Sequence, residues 1–238
     1  TPLAQPTNLA LVPTSTTIAG TFTISDAENY LVVRHSSSPL GATPVDLKRY
    51  AAGDTLGSTG IVVTATSTAA FTATGLSVDT NYFFTIFAFN SYGTNGPKYL
   101  TTLPLTGFKA TLPNPPADPL SFSAAASSYS QINLAATGTS GNPIMVAWRT
   151  VNTFGTPAPD ATYAVGASIY GGGRILYMGD ASGLPNHTGL NDATTYYYKA
   201  WCYITSGEYK VYSTGLSANA TTPMIPVTPP YVQKFDGV

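Results

Sequence analysis

The sequence predicts an all-β chain of two tandem β-sandwiches, joined by a proline-rich linker and followed by an extended segment. Three observations carry this expectation. Apolar residues alternate with period two through short runs rich in Thr, Val, Ile and aromatic side chains, the pattern of half-buried strands. The 22 glycines and 19 prolines punctuate those runs with turns and do not follow the period of three that collagen requires. The chain also repeats itself once, over the length of a domain.

The repeat is read from spacing. Tyr50-Ala51-Ala52-Gly53-Asp54-Thr55-Leu56 aligns with Tyr163-Ala164-Val165-Gly166-Ala167-Ser168-Ile169 at an offset of 113, and Pro44 aligns with Pro157 at the same offset. Downstream, Thr74-Gly75-Leu76 aligns with Thr188-Gly189-Leu190 at an offset of 114, as do Thr80 with Thr194 and Tyr82 with Tyr196. One residue inserted in a glycine turn accounts for the change. Each copy is therefore a folding unit of its own, not one turn of a solenoid.

In chain order, strands are expected at 17–24, 30–35, 61–66, 82–90 and 99–103 of the first copy. They are expected again at 131–136, 144–150, 174–178, 196–204 and 209–214 of the second. No stretch combines a helical stripe with caps. The modules are placed at 1–111 and 120–222, and a linker with four prolines in eight residues at 112–119. A second proline-rich segment at 223–238 belongs to neither copy.

Gly75-Leu76 followed by Thr80-Asn81-Tyr82-Phe83-Phe84, and Gly189-Leu190 followed by Thr194-Thr195-Tyr196-Tyr197-Tyr198, resemble the E–F corner of fibronectin type III modules. The resemblance implies an immunoglobulin-like sandwich in which the corner tyrosine hydroxyl returns to the backbone and locks the crossover between sheets. It covers nearly the whole chain. The tryptophan common on strand B of such modules is absent, and Phe22 and Ala136 stand in its place. The Tyr-Ala-x-Gly-x-x-Leu/Ile segment and the long loop before it are similar to a variant in secreted and surface proteins of bacteria. An extracellular or cell-surface location is therefore expected, and the start at Thr1 suggests a processed or excised form.

Charge excludes one large class of partners. Ten Lys and Arg against eleven Asp and Glu leave a net charge of −1 and no basic cluster to release counterions from nucleic acid. No apolar run approaches the roughly 18–20 residues of a membrane helix, so membrane insertion is not expected.

No enzyme activity, cofactor or metal is expected. His35 and His187 occupy non-equivalent positions in different copies, and neither a Gly-x-Ser-x-Gly elbow nor a His-Glu-x-x-His motif occurs. The acids are scattered, which disfavours a carboxylate pair. Cys202 aligns with Ala88 on an inward face and reads as a small buried hydrophobe. Gly171-Gly172-Gly173-Arg174 aligns with Gly57-Ser58-Thr59-Gly60 and reads as a turn, not an anion nest. Asn186-His187-Thr188, Asn219-Ala220-Thr221 and Asp54-Thr55-Leu56 match glycosylation patterns too short to imply modification.

The most informative stretch is the last long strand of each copy. With Tyr82, Phe84, Ile86 and Ala88 inward, period two sends Phe83, Thr85, Phe87 and Phe89 outward, and in the second copy Tyr197, Lys199, Trp201 and Tyr203. A sheet facing water is polar on that side, so something must cover these rings. Either the long loops at 36–49 and 152–162 fold over them, or they meet another surface.

The expected function is a non-catalytic extracellular structural or adhesive protein, a stalk or surface-filament subunit that assembles with other protein subunits, itself included. Its candidate contacts are Phe83, Phe87, Phe89, Tyr197, Trp201 and Tyr203, and Ile225, Val227, Tyr231, Val232 and Phe235 form a candidate strand donor. The alternative is an accessory spacer or carbohydrate-binding region of a secreted hydrolase, with Trp201, Tyr197 and Tyr203 as the sugar platform.

Overall fold

The computed structural model describes residues 1–91 and 96–226, and the chain divides into two compact units, Thr1–Asn114 and Pro115–Val238. The first unit contains β1 (Thr7–Pro13), β2 (Ile18–Thr23), β3 (Asn29–His35), β4 (Thr55–Leu56), β5 (Gly60–Thr66) and β6 (Ala70–Ala73). Then come β7 (Asn81–Ser91), β8 (Pro97–Tyr99) and β9 (Leu105–Ala110). One sheet has the order β1-β2-β6 and the other β4-β5-β3-β7-β8, with β9 also paired to β7.

The second unit repeats the plan with β10 (Ser121–Ser128), β11 (Gln131–Thr137), β12 (Ile144–Arg149), β13 (Arg174–Gly179) and β14 (His187–Thr188). It closes with β15 (Thr195–Ser206), β16 (Tyr209–Tyr212) and β17 (Leu216–Thr221). Its sheets are β10-β11-β14 and β13-β12-β15-β16, with β17 paired to β15. All-β sandwich architecture is thus observed in both copies.

Side-chain alternation explains the layers. Along β2 burial strictly alternates, turning Ile18, Gly20 and Phe22 inward. Phe71 lies so close over Gly20 that a Cβ there would stand 2.1 Å from its ring, so this strand position admits only glycine without repacking. Phe22 meets Tyr30 edge-on at 5.0 Å, and Phe84, Ile86 and Ala88 of β7 complete the core between the sheets.

The corners have the geometry that the resemblance implies. The Tyr82 hydroxyl accepts the Ser77 amide hydrogen at 2.9 Å, and the Tyr196 hydroxyl accepts that of Asn191 at 2.9 Å. The aligned Tyr-Ala-x-Gly segments also match bond for bond. Gly53 donates to the Val62 carbonyl at 2.9 Å and Val62 to that of Asp54 at 2.8 Å; Gly166 and Ile175 reproduce the pair, each at 2.8 Å.

Three expectations change. The strand expected at 99–103 ends at Tyr99, because the chain leaves the sheet and Leu103 takes a left-handed φ of 48°. His187, between the strands expected at 174–178 and 196–204, lies in β14 and pairs with Ile132. β1, β9, β10 and β17, outside the expected set, each edge a sheet, and β10 and β17 lack a clear apolar alternation because they are built largely from Ala, Ser and Thr.

Both ends of the expected linker are fastened, each within its own unit. Leu112 is buried and donates to the Thr14 carbonyl at 2.8 Å, while the Asp118 carbonyl accepts the Thr139 hydroxyl at 2.5 Å. In the following segment the Ile225 amide donates to Asp192 at 3.2 Å. Val227, Tyr231, Val232 and Phe235 lie outside the described residues.

Candidate functional site

Most of the outward aromatic stripe is covered. Phe87 is 1% exposed, Phe89 7%, Trp201 1% and Tyr203 9%, so these four do not form an open contact surface or a sugar platform. The physical reason is a second core on the outer face of the larger sheet. In the first unit Leu31, Val33, Tyr50, Leu56 and Tyr99 close over Phe87 and Phe89; in the second, Phe154 and Ile169 close over Trp201. Phe83 and Tyr197, nearer the start of each strand, remain half-buried.

The long loop of the first unit is tied down over that core. Leu47 donates to the Pro97 carbonyl at 2.9 Å, and the Tyr99 hydroxyl donates to the Lys48 carbonyl at 2.9 Å. Asp46 accepts the Tyr99 amide at 2.9 Å and pairs with Lys98 at 3.0 Å. Those two partners, the amide first, hold its carboxyl below the usual range. Burial pushes the Tyr99 hydroxyl up to about 12, so it remains a donor at neutral pH.

Cover is incomplete over the first half of β7. There a groove of about 660 Å³ opens between residues 38–43 on one side and residues 101–108 on the other. Phe83 links floor to rim: its ring stacks on His35 at 5.8 Å and meets Phe108 at 5.8 Å, and Phe108 is 65% exposed. Pro39, Leu40 and Pro104 add apolar walls, and among the described residues no Asp, Glu, Lys or Arg lines the groove. A concave apolar site with a few convergent polar groups has the composition of a binding site.

The polar floor is a hydrogen-bonded pair. His35 Nδ1 lies 2.5 Å from the Ser37 carbonyl, which only accepts, so Nδ1 carries the proton. In the neutral imidazole Nε2 is then an acceptor, and the Thr85 hydroxyl donates to it at 3.0 Å. Thr85 keeps lone pairs for a further donor. Both residues are buried at the base of the groove. Sequence reading placed His35 at a strand end but missed this pairing, because the register of β3 against β7 joins residues fifty apart.

The rim depends on a break in the edge strand. Between β8 and β9 ladder pairing with β7 is interrupted over 100–104: Leu100 still donates to the Ala88 carbonyl at 2.9 Å, but the Ala88 amide would be orphaned. The Gln5 carboxamide fills the gap: its oxygen accepts from Ala88 at 2.9 Å, and its nitrogen donates to the carbonyls of Leu100 at 2.7 Å and Thr102 at 3.1 Å.

The equivalent place on the second unit is filled. Thr85 and Phe87 correspond to Lys199 and Trp201 at the offset of 114, and Phe108 corresponds in register to Asn219. Lys199 Nζ lies 5.4 Å from the Trp201 ring centroid, and both side chains crowd Gly215 so closely that a Cβ there would come within 2.8 Å of them. The break is also shorter, 213–215. The Ser213 hydroxyl accepts the Cys202 amide at 3.0 Å. Asp118, 113 positions after Gln5, accepts the Thr214 hydroxyl at 2.6 Å and the Gly215 amide.

The other chemically notable side chains are enclosed. His187 packs 4.6 Å from Trp148 and its Nδ1 lies 3.0 Å from the Tyr198 hydroxyl; burial pushes it down to about 4. Cys202 is fully buried, as expected for a small hydrophobe. Among the described residues, no group of three or more His, Cys, Asp or Glu is placed to hold a metal ion, and no helix is long and apolar enough to cross a membrane.

No protein-family model and no curated protein matches the chain. Solved structures do. The FN1–FN3 domains of chicken CNTN1 superpose with a TM-score of 0.53 at 13% identity, covering 93% of this chain and 68% of that one. A two-domain fibronectin type III segment of chicken tenascin covers 92% of this chain and 100% of its own at 14% identity, with a TM-score of 0.32. Together with two bonded tyrosine corners and a duplicated two-sheet topology, the first of these likenesses identifies the fold: the chain is a tandem of fibronectin type III-like β-sandwiches.

Proposed function

We propose that the chain is a non-catalytic structural segment of an extracellular protein, a stalk or filament subunit held together by protein-to-protein contacts. The open apolar groove beside Phe83 and Phe108 carries this reading. Its walls offer rings and prolines to a partner but no charged side chain, in keeping with a chain that is only 9% charged. Such a patch suits desolvated association with another protein surface. The two cores of the first sandwich support a load-bearing role, because a loop fastened over the outer sheet face resists local opening.

The sugar-platform alternative keeps only the half-buried Tyr197, since Trp201 and Tyr203 lie inside the second unit. Electron microscopy of the purified chain across a concentration series tests the assembly reading. Ordered fibres are expected, whereas dispersed single particles at every concentration would overturn self-assembly.

A further inference from the structure

We propose that the groove of the first module is the socket for residues 229–231 of a second copy, Pro229-Pro230-Tyr231, with the Tyr231 ring as the inserted anchor. The inference rests on the assembly reading above and names its contact. Four observations on this chain lead to it.

The lining of the groove differs between the two copies. Module 2 fills the equivalent space with Lys199 and Trp201, whereas module 1 carries Thr85 and Phe87. Module 2, in turn, is followed by the proline-rich segment. The groove lining and the segment come from separate stretches of the chain, 35–108 and 223–238, which suits a head-to-tail contact.

The chemistries match. The segment Pro223-Met224-Ile225-Pro226-Val227-Thr228-Pro229-Pro230-Tyr231-Val232-Gln233 contains no charged residue, and none lines the groove. Prolines lack amide donors and favour an extended left-handed path, which aromatic-lined grooves recognise at low entropic cost. The lining supplies Phe83, Phe108 and Pro104 for such packing.

The floor specifies a ring with a hydroxyl. With its proton directed to His35, the Thr85 oxygen accepts from a donor arriving down the groove, and a tyrosine presents a flat ring to Phe83 with a donor at its tip. Tyr231 is the first aromatic residue after β17. Beyond the described residues the chain continues for twelve positions, 227–238, and Tyr231 lies five positions after the last described residue.

The test uses the full chain and a labelled peptide of residues 223–238. Sedimentation velocity of the full chain is expected to show concentration-dependent growth, reduced by deletion of 227–238, by Thr85→Lys and by Phe108→Ser. Fluorescence anisotropy is expected to show the peptide binding the deleted chain at one per molecule. Tyr231→Ser in the peptide, or either groove substitution in the chain, should weaken binding about tenfold or more.

Phe108 is largely exposed, so Phe108→Ser keeps the result interpretable if Thr85→Lys perturbs folding. Failure of the peptide to bind, or binding unchanged by both groove substitutions, overturns the socket. Self-association that persists in both groove variants overturns the socket while leaving assembly standing. A full chain that stays monomeric at every concentration overturns both.

Discussion

Gln5 accepts the backbone amide hydrogen of Ala88 at 2.9 Å, across the break that separates β8 from β9. One side chain thereby replaces a missing strand partner and anchors the rim of the groove. Gln5→Ala leaves a core-strand amide unpaired, and a cost of about 1–3 kcal/mol is expected. Hydrogen exchange at Ala88 should quicken in that variant while the Cys202 amide, served by Ser213, stays protected.

The two copies of one tyrosine differ in a useful way. Tyr99 meets Tyr50 edge-on at 6.0 Å and donates to the Lys48 carbonyl, whereas Tyr212 meets Tyr163 at 6.0 Å with its hydroxyl buried and unpartnered among the described residues. Tyr99→Phe is expected to cost about 0.5–1.5 kcal/mol, and Tyr212→Phe to be neutral or stabilising. Denaturant titration of the two variants separates these outcomes. A larger loss for Tyr212→Phe would contradict the assigned bonding.

Both sandwiches share the corner bond, so Tyr82→Phe and Tyr196→Phe should behave alike. Each removes the acceptor of a turn amide, at an expected cost of about 1–3 kcal/mol to its own module. For a domain of this size, that is a fall of several degrees in melting temperature for each kcal/mol. Calorimetry showing no shift in either variant would remove the corner from the list of stabilising contacts.

Acidification should loosen the second module first through His187. Its proton affinity falls from about 6.5 unfolded to about 4 in the fold, because burial opposes the charged form. The unfolded chain therefore binds more protons between those values, and stability declines as pH drops through that window. Carboxyls held low in the fold, such as Asp46 and Asp118, lose their contribution only below about 3.8. His187→Gln should flatten the decline between pH 6.5 and 4, as read from urea midpoints; an unchanged slope would assign it elsewhere.

Much of the fold was legible in the residues. The alternation along Tyr82-Phe84-Ile86-Ala88, the aligned Tyr-Ala-x-Gly segments and the corner tyrosines all express local geometry, and local geometry is written in order along the chain. The edge strands were not legible, since a strand with one partner and little to bury needs no apolar pattern. The groove left a weak trace: aligned copies set Thr85 against Lys199 and Phe87 against Trp201, a change in side-chain volume at one place.

By itself the sequence determined that the chain builds two β-sandwiches of one design, and that the strand carrying Phe87 and Trp201 is apolar on both faces. Tertiary structure decided what lies against those faces, because burial depends on which loop returns over which strand. It closed the stripe over Phe87 and Trp201, paired His35 with Thr85 from a different strand, and left one groove open where small side chains and a longer break leave space unfilled.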